Sequence, residues 1–457
     1  MLISISFVAL ACQPKASTTV AVDPFQYIGH KVRLSGVQAK TISVLVDDAC
    51  LRQMRAAKIN SRLLESIPTN KIQLSVRKSP IQSHRIEVSP QTTQLQIKEW
   101  ANEDPCVIGV ADNQKATTQA YGSDPLYSKQ SHLYNIHSAE AHDFFFDRPT
   151  GIKKDVIIAF IDSGIDLQHQ DLRSQLWVNN DELNGDPGID DDKNGFIDDV
   201  YGYNFVSDIG DPSHQTINDH GTHLTGLAAA AINNIGGAGV IGQKVKIMTL
   251  NVFGKNWETE TVYIDQAIRY AADNGANVIN ISIGGRGPSE TTASAIVYAL
   301  KKGCVITVAA GNTKQDIGED FYFPASYAPQ YSGLISVAAV DASLNTPCAF
   351  TNFSSSAVKI AAPGCDAAAI KSGLLSTRLG DKYGYKSGTS QASAIVAGAA
   401  ALVYGVMRDS SGAMVQPAEV ERILTNGSDS RSALFRYVSG GRKLNLMGLT
   451  HKHLLAN

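Results

Sequence analysis

The sequence predicts an α/β fold, a parallel β-sheet with helices on both faces, preceded by a small α+β domain. Three observations predict it. Six short runs, residues 156–161, 245–250, 278–283, 304–309, 335–340 and 358–361, are nearly continuous in apolar residues. Strands buried on both faces need that composition, and such strands belong to parallel sheets. Helical patterns at residues 220–232, 261–274 and 290–302 lie between the runs, and this alternation winds a parallel sheet. Ahead of them, residues 31–112 are more β-branched and basic, and mix short strand patterns with a helical one.

Length and composition agree with this division. A chain of 457 residues suggests two or three domains. With 43% hydrophobic and 18% charged residues it builds a packed core and is not disordered. The net charge is −3, and the signs are mixed without a basic block, which argues against nucleic acid as a partner.

Residues 1–12 come first. Residues 2–11 are almost wholly apolar and end in Ala9-Leu10-Ala11-Cys12. The run is too short to cross a bilayer and resembles the core of a signal peptide. Small residues before a cysteine resemble a bacterial lipoprotein processing site, which implies a lipid on Cys12 and membrane attachment. No Lys or Arg precedes the run, and a secretory signal with an incidental Cys12 is the alternative. Either reading implies export. No later segment reads as a transmembrane span.

Residues 13–30 read as a linker, polar at first with Thr, Ser and Pro. Residues 31–115 form the α+β domain. Strand patterns fall at 41–46, 73–76, 84–88 and 106–110, a helical pattern at 51–64, and an amphipathic stretch at 95–100. Residues 116–122 are small and polar, as suits a cleavable junction. The second domain covers residues 120–457. Asn274-Gly275 and Lys302-Gly303 stop two of its helices, and residues 417–425 read as a last helix. Gly237 to Gly242 fits G-x-G-x-x-G, yet it follows a helix and precedes a strand. That is the wrong context for a dinucleotide site, so it reads as a glycine-rich loop.

The six cysteines form no C-x-x-C pattern. Cys50 with Cys106, and Cys348 with Cys365, would each lie within one domain and fit an exported protein. Free buried thiols are the alternative, and Cys304 sits in an apolar strand.

Ser387-Gly388-Thr389-Ser390 opens an apolar run from Ala392 to Tyr404. Small residues permit a tight turn there, and Ser390 falls at a helix N-terminus. Free N–H groups and the helix dipole stabilise negative charge at such a place. A nucleophile whose attack creates an oxyanion needs that field. Alone, such a serine is only a cap. Upstream, however, one strand ends in Asp162, and Asp219-His220-Gly221-Thr222-His223 opens another apolar helix. An acid, a base and a nucleophile thus occur in the order Asp162, His220, Ser390, the combination that acyl transfer requires. A serine hydroxyl attacks only when a base takes its proton, and imidazole titrates near neutrality.

Residues 162–165, 220–226 and 388–398 together resemble the three signature motifs of the subtilisin-like serine proteases. The resemblance runs from about residue 124 to about residue 449. It implies a serine endopeptidase in which Asp162 orients His220 and Ser390 forms an acyl-enzyme. It also implies an oxyanion site made by the Asn312 side chain and the Ser390 N–H. Ser282, Ile283, Gly284 and Gly285 would pair with an extended substrate, and Ala309, Ala310 and Gly311 would flank the pocket before the scissile bond. The peptide before Pro324 is expected to be cis. His223 is expected to pack within its helix. The domain at 31–115 resembles a propeptide, which would assist folding and inhibit the mature enzyme intramolecularly. Protein or peptide substrates are the implied partners, for an enzyme expected to act as a monomer. The chain departs from the family mildly at Leu224-Thr225, which stand for Val-Ala, and more sharply at two positions: Gln391 stands for Met, and Ala394 for Pro. They leave two alternatives, a binding protein with little catalysis and an acyltransferase that prefers amines to water.

Asp190, Asp192, Asn194, Gly195 and Asp198 fall at positions 1, 3, 5, 6 and 9 of the EF-hand loop pattern, and Phe196 falls at position 7. Crowded carboxylates repel one another unless a hard cation lies among them, and calcium is expected here. Position 12 is Tyr201, so the ligand set is incomplete unless Asp199 compensates. A solvated acidic loop is the alternative.

Overall fold

The computed structural model describes residues 122–452, apart from 148–150, 214–217, 370–372 and 413, together with five strands nearer the N-terminus. The chain divides into two units, Met1–Thr118 and Gln119–Asn457.

The first unit holds β1 (Val32–Arg33), β2 (Thr41–Asp47), β3 (Ile72–Gln73), β4 (Ile81–Glu87) and β5 (Val107–Asp112), in the sheet order β1-β5-β2-β4-β3. β2 runs antiparallel to both β4 and β5. The apolar leader, Cys12, the linker, the expected helix at 51–64, the stretch at 95–100, and Cys50 and Cys106 lie outside the described residues.

In the second unit the apolar runs become β6 (Val156–Asp162), β8 (Val245–Asn251), β9 (Val278–Ile281), β10 (Val305–Ala309), β11 (Leu334–Asp341) and β12 (Ile360–Cys365). With β7 (Gly202–Asn204), β15 (Asp429–Ser430) and β16 (Arg442–Lys443) they build a nine-stranded sheet in the order β15-β16-β12-β11-β10-β9-β6-β8-β7. Every pairing is parallel except β15 with β16. The strand expected at 278–283 stops at Ile281, and the one expected at 358–361 lies later.

Strand parity explains the continuous apolar runs. Ile158 and Phe160 face one core, while Ala159 and Ile161 face the other. The first core holds the helices His220–Ala229 and Thr389–Ser411, the second Thr261–Asp273 and Glu290–Lys301. Full burial of each Ile or Val side chain contributes about 1.5–3 kcal/mol, so a polar residue on either face would be costly.

The Thr389–Ser411 helix crosses the first core and is lined with alanines because its neighbours come close. A Cβ on Gly398 would meet Val240 Cβ at 2.8 Å. The helix ends at Gly412, whose φ of 64° closes it in the left-handed region. The His220–Ala229 helix ends three residues before its expected limit, because Ala230 turns to extended backbone and Ala231 N–H donates to the Asp171 carbonyl. A hairpin not expected from the sequence, β13 (Leu374–Arg378) with β14 (Lys382–Lys386), packs on that helix. Ser376 and Thr377 hydroxyls donate to the His223 and Thr222 carbonyls. Cys348 and Cys365 form a disulfide, and Cys304 is free and buried.

Candidate active site

The site forms at the carboxyl ends of three neighbouring strands. β6 ends in Asp162, beside it β9 leads into Ser282, and β10 leads into Ala310, Gly311 and Asn312. Ile161 is the register partner of Ile281, and Val308 is another. In a parallel sheet the following helices begin at this same edge, so their N-termini converge here. His220 is the first residue of one helix, and Ser390 the second of another.

Asp162 is buried, and His220 Nδ1 lies 2.8 Å from its Oδ1 and 3.0 Å from its Oδ2. Ser163 N–H also donates to Oδ1, at 2.8 Å. Nδ1 therefore carries the proton, and Nε2 is left as the basic nitrogen. Gly221 lets the helix mouth come this close, since a Cβ there would sit 2.3 Å from the Gly164 carbonyl oxygen. Ser390 is 7% exposed. Its Oγ lies 3.5 Å from the Ser282 carbonyl, and Ser282 Oγ lies 3.5 Å from the Ser390 carbonyl. No hydrogen bond joins His220 to Ser390 in this state. Catalytic contacts of that kind often tighten only around substrate.

Asn312 is fixed by its oxygen. Oδ1 accepts from the Thr389 N–H at 2.9 Å and from Thr389 Oγ at 3.0 Å. The amide nitrogen is thereby turned toward Gly388. A Cβ built there would lie 3.6 Å from Asn312 Nδ2 and 3.7 Å from Ser390 N. Two donors thus border one small space at a helix mouth, as stabilisation of an oxyanion requires. Asn352 supports this loop and was missed in the sequence. It is fully buried, donates to the Ala310 carbonyl and accepts from the Thr313 and Gln315 N–H groups.

Along the other edge, Gly285 exchanges backbone hydrogen bonds of 2.9 and 2.7 Å with Phe323. Gly284 is needed where it stands, since a Cβ would meet the Tyr322 ring at 2.4 Å. The Phe323–Pro324 peptide is cis. A cavity of about 300 Å³ opens beside this edge, lined by Ile264, Ile281, Ile283, Phe323 and Tyr327 among others. Ala309 and Ala310 are buried at the end of β10.

Two further neighbours of the site, Asp219 and Trp257, escaped sequence reading, while His223 packs as expected. Asp219, just before His220, is buried and paired with Arg378 and Lys386 of the hairpin. Burial, then the Arg378 charge, holds the Lys386 ammonium below its usual pKa. Trp257 meets the His220 ring edge-on at 5.9 Å and stacks on Phe253 at 4.5 Å. His223 is fully buried and bonds through Nε2 to the Leu374 and Gly384 carbonyls, so it ties the helix to the hairpin.

The acidic loop lies apart from the triad. Glu182, Asp190 and Asp192 place carboxylate oxygens within 4.8 Å of one another, a set that could hold a metal ion. Glu182 was missed because it sits on the preceding short helix, Asn180–Asn184. Asp190 accepts from the Asn194 and Gly195 N–H groups, and Asn194 Nδ2 donates to Asp192 and Asp199. Asp198 turns away, with both oxygens 3.0 Å from the Gly188 N–H. The Phe196 ring packs edge-on against Tyr203 and Tyr270. Burial raises the Asp199 pKa, and Tyr270 hydroxyl, Asn194 and Asn179 offset it.

The model of the Subtilase family matches residues 153–441. The chain is 34% identical over 286 residues to a thermophilic serine proteinase of Bacillus sp. (strain AK1), which covers 62% of this chain and 59% of that protein. It is 30% identical over 321 residues to thermitase of Thermoactinomyces vulgaris, covering 70% of this chain and 96% of that one. Among solved structures, a protease from Pseudoalteromonas arctica PAMC 21717 superposes with a TM-score of 0.54 at 26% identity, over 72% of this chain and 98% of that one. The chain spans about three fifths of the length of the Bacillus proteinase. The parallel sheet, the ordered Asp162, His220 and Ser390 at its carboxyl edge, and these matches lead to one conclusion: the chain belongs to the subtilase family.

Proposed function

We propose that the chain is a serine endopeptidase that hydrolyses peptide bonds through an acyl-enzyme on Ser390. The observation that carries this reading is the Asp162–His220 contact of 2.8 Å, which leaves Nε2 as the free imidazole nitrogen, with Ser390 at the mouth of another helix on the same sheet edge. His220 takes the Ser390 proton as Oγ attacks the substrate carbonyl. Charge then develops on the carbonyl oxygen, where Asn312 Nδ2–H and Ser390 N–H donate to it. His220 returns the proton to the departing amine, and water repeats the sequence to release the acid.

The substrate chain lies along Ser282, Ile283 and Gly284, with the backbone of Ala309, Ala310 and Gly311 beside the pocket that receives the residue before the scissile bond. The apolar cavity next to Ile283 and Phe323 accepts a further apolar side chain. The oxygen-only donors Glu182, Asp190 and Asp192 fit calcium, which would brace the loop and takes no part in the chemistry. The disulfide and the apolar leader support export. Residues 31–115 serve as propeptide and intramolecular inhibitor, and Cys12 is the candidate for lipid attachment.

The test is a fluorophosphonate probe on the purified chain. Labelling of Ser390 that disappears in Ser390→Ala, with peptide hydrolysis lost in parallel, is expected. An intact fold without labelling or hydrolysis would instead point to a binding protein.

A further inference from the structure

Gln391 follows the nucleophile and is 1% exposed, and neither its Oε1 nor its Nε2 has a hydrogen-bond partner. A buried amide with both ends unpaired is destabilising, and it calls for an explanation. Its position supplies one. The Cβ position on Gly388 that borders Asn312 Nδ2 and Ser390 N lies 2.7 Å from Gln391 Oε1. Three polar groups therefore surround the same small space.

Two of them are the donors assigned above to the oxyanion. Asn312 is pinned by Thr389, so its nitrogen has one direction. Nothing pins Gln391. The oxygen and nitrogen of an amide are told apart only by their partners, and here there are none. A half-turn about the terminal bond exchanges them and puts Nε2 beside the other two donors.

We propose that Gln391 is a third oxyanion donor, its Nε2–H binding the carbonyl oxygen of the tetrahedral intermediate together with Asn312 and Ser390. This rests on the acyl-enzyme reading above. No bond is made or broken at Gln391. It supplies one hydrogen bond as negative charge moves onto the oxygen, and it releases that bond when the intermediate collapses. The amide has no partner within the protein to give up first, so turning Nε2 onto the oxyanion breaks no hydrogen bond, and burial keeps water from competing for it. The space in front of Gly388 must stay empty for this, because a side chain there would occupy the place of the amide.

The test compares wild type, Gln391→Met and Gln391→Glu as full-length chains, with a peptide p-nitroanilide as substrate and a peptide boronic acid as tetrahedral mimic. Gln391→Met is expected to lower kcat by roughly ten- to a hundredfold with KM little changed, less than the about 10²–10³-fold that one oxyanion donor can supply, because two other donors remain. Boronate affinity should fall by a similar factor. Combined with Asn312→Ala, the losses should be non-additive, as for donors that share one acceptor. A merely structural amide would change the melting temperature and leave kcat and boronate affinity alone. A folded, labelled Gln391→Met with wild-type kcat overturns the inference. Should that variant fail to fold, Gln391→Glu has the same shape and places negative charge at the oxyanion, so kcat must fall further; an unchanged kcat overturns the inference as well. An inert wild type would overturn the acyl-enzyme reading, and this inference with it. An active wild type with unimpaired variants overturns this inference alone.

Discussion

Lys386 Nζ lies 2.7 Å from Asp219 Oδ1, and Arg378 reaches the other oxygen of the same buried carboxylate. Asp219 directly precedes the proposed base, His220, while Lys386 opens the turn that leads to the proposed nucleophile, Ser390. One carboxylate thus joins the helix mouths of His220 and Ser390 through the hairpin. Removing it leaves two cations facing each other without the carboxylate that pairs them. Asp219→Asn should therefore lower stability by about 3 kcal/mol. Lys386→Met should cost only about 1 kcal/mol, because Arg378 still covers the carboxylate. Urea unfolding measures both, and equal midpoints for the two variants would contradict this account.

Asp162 holds the imidazole with both oxygens. Asp162→Asn keeps the shape but favours the wrong tautomer, and kcat should fall about 10⁴-fold with KM almost unchanged. Asn312→Ala removes one donor and should lower kcat by about 10²–10³-fold. Steady-state kinetics on one peptide substrate checks both.

Three buried histidines make the fold acid-sensitive, since burial lowers the pKa of His142 as well as those of His132 and His223. For both His132 and His223 the fall is from the usual 6.5 to about 3. The Asp366 charge opposes this shift at His132, and the Lys386 charge adds to it at His223. Between these values the unfolded chain binds more protons than the folded one. Stability is fully present above pH 6.5 and is lost as pH falls toward 3. The raised carboxylates Asp124, Asp171 and Asp199 act in the opposite sense but near their own, lower range. Urea midpoints should therefore fall from pH 8 to pH 5.5. Neither ring nitrogen of His132 has a partner, so His132→Phe should flatten that slope. An unchanged slope in His132→Phe would assign the sensitivity elsewhere.

Much of this was legible because the signals are local. Strands buried on both faces read as unbroken apolar runs, and β6, β8, β10 and β11 lie within a residue or so of where periodicity puts them. Asp162, His220 and Ser390 each stand at the end or start of such an element, so their order alone drew attention to them. What was missed depends on distant partners. Nothing near Asp219 announces the cations that neutralise it from β13 and β14. The hairpin itself alternates weakly, Lys382-Tyr383-Gly384-Tyr385-Lys386, about the turn Gly380-Asp381, and its strands carry too few apolar residues to stand out. Glu182 is absent from any loop pattern because a separate helix delivers it. Asp198 fits the pattern by spacing, yet its backbone takes a φ of 55° and its carboxylate turns to Gly188.

That last contrast sets a calcium test. If Glu182, Asp190 and Asp192 hold the ion, Glu182→Gln should weaken calcium binding strongly, and Asp198→Asn should weaken it little. A chelator should lower the wild-type melting temperature, since an ion that binds only the folded chain stabilises it by mass action. Glu182 also accepts the Asp191, Asp192 and Asp198 N–H groups, so Glu182→Gln is the milder choice over Ala: one oxygen is kept while the charge is removed. Titration calorimetry with calcium gives the affinities directly. Equal affinity for Glu182→Gln and wild type, or a melting temperature indifferent to chelator, would leave the cluster as a loop held by its own backbone hydrogen bonds.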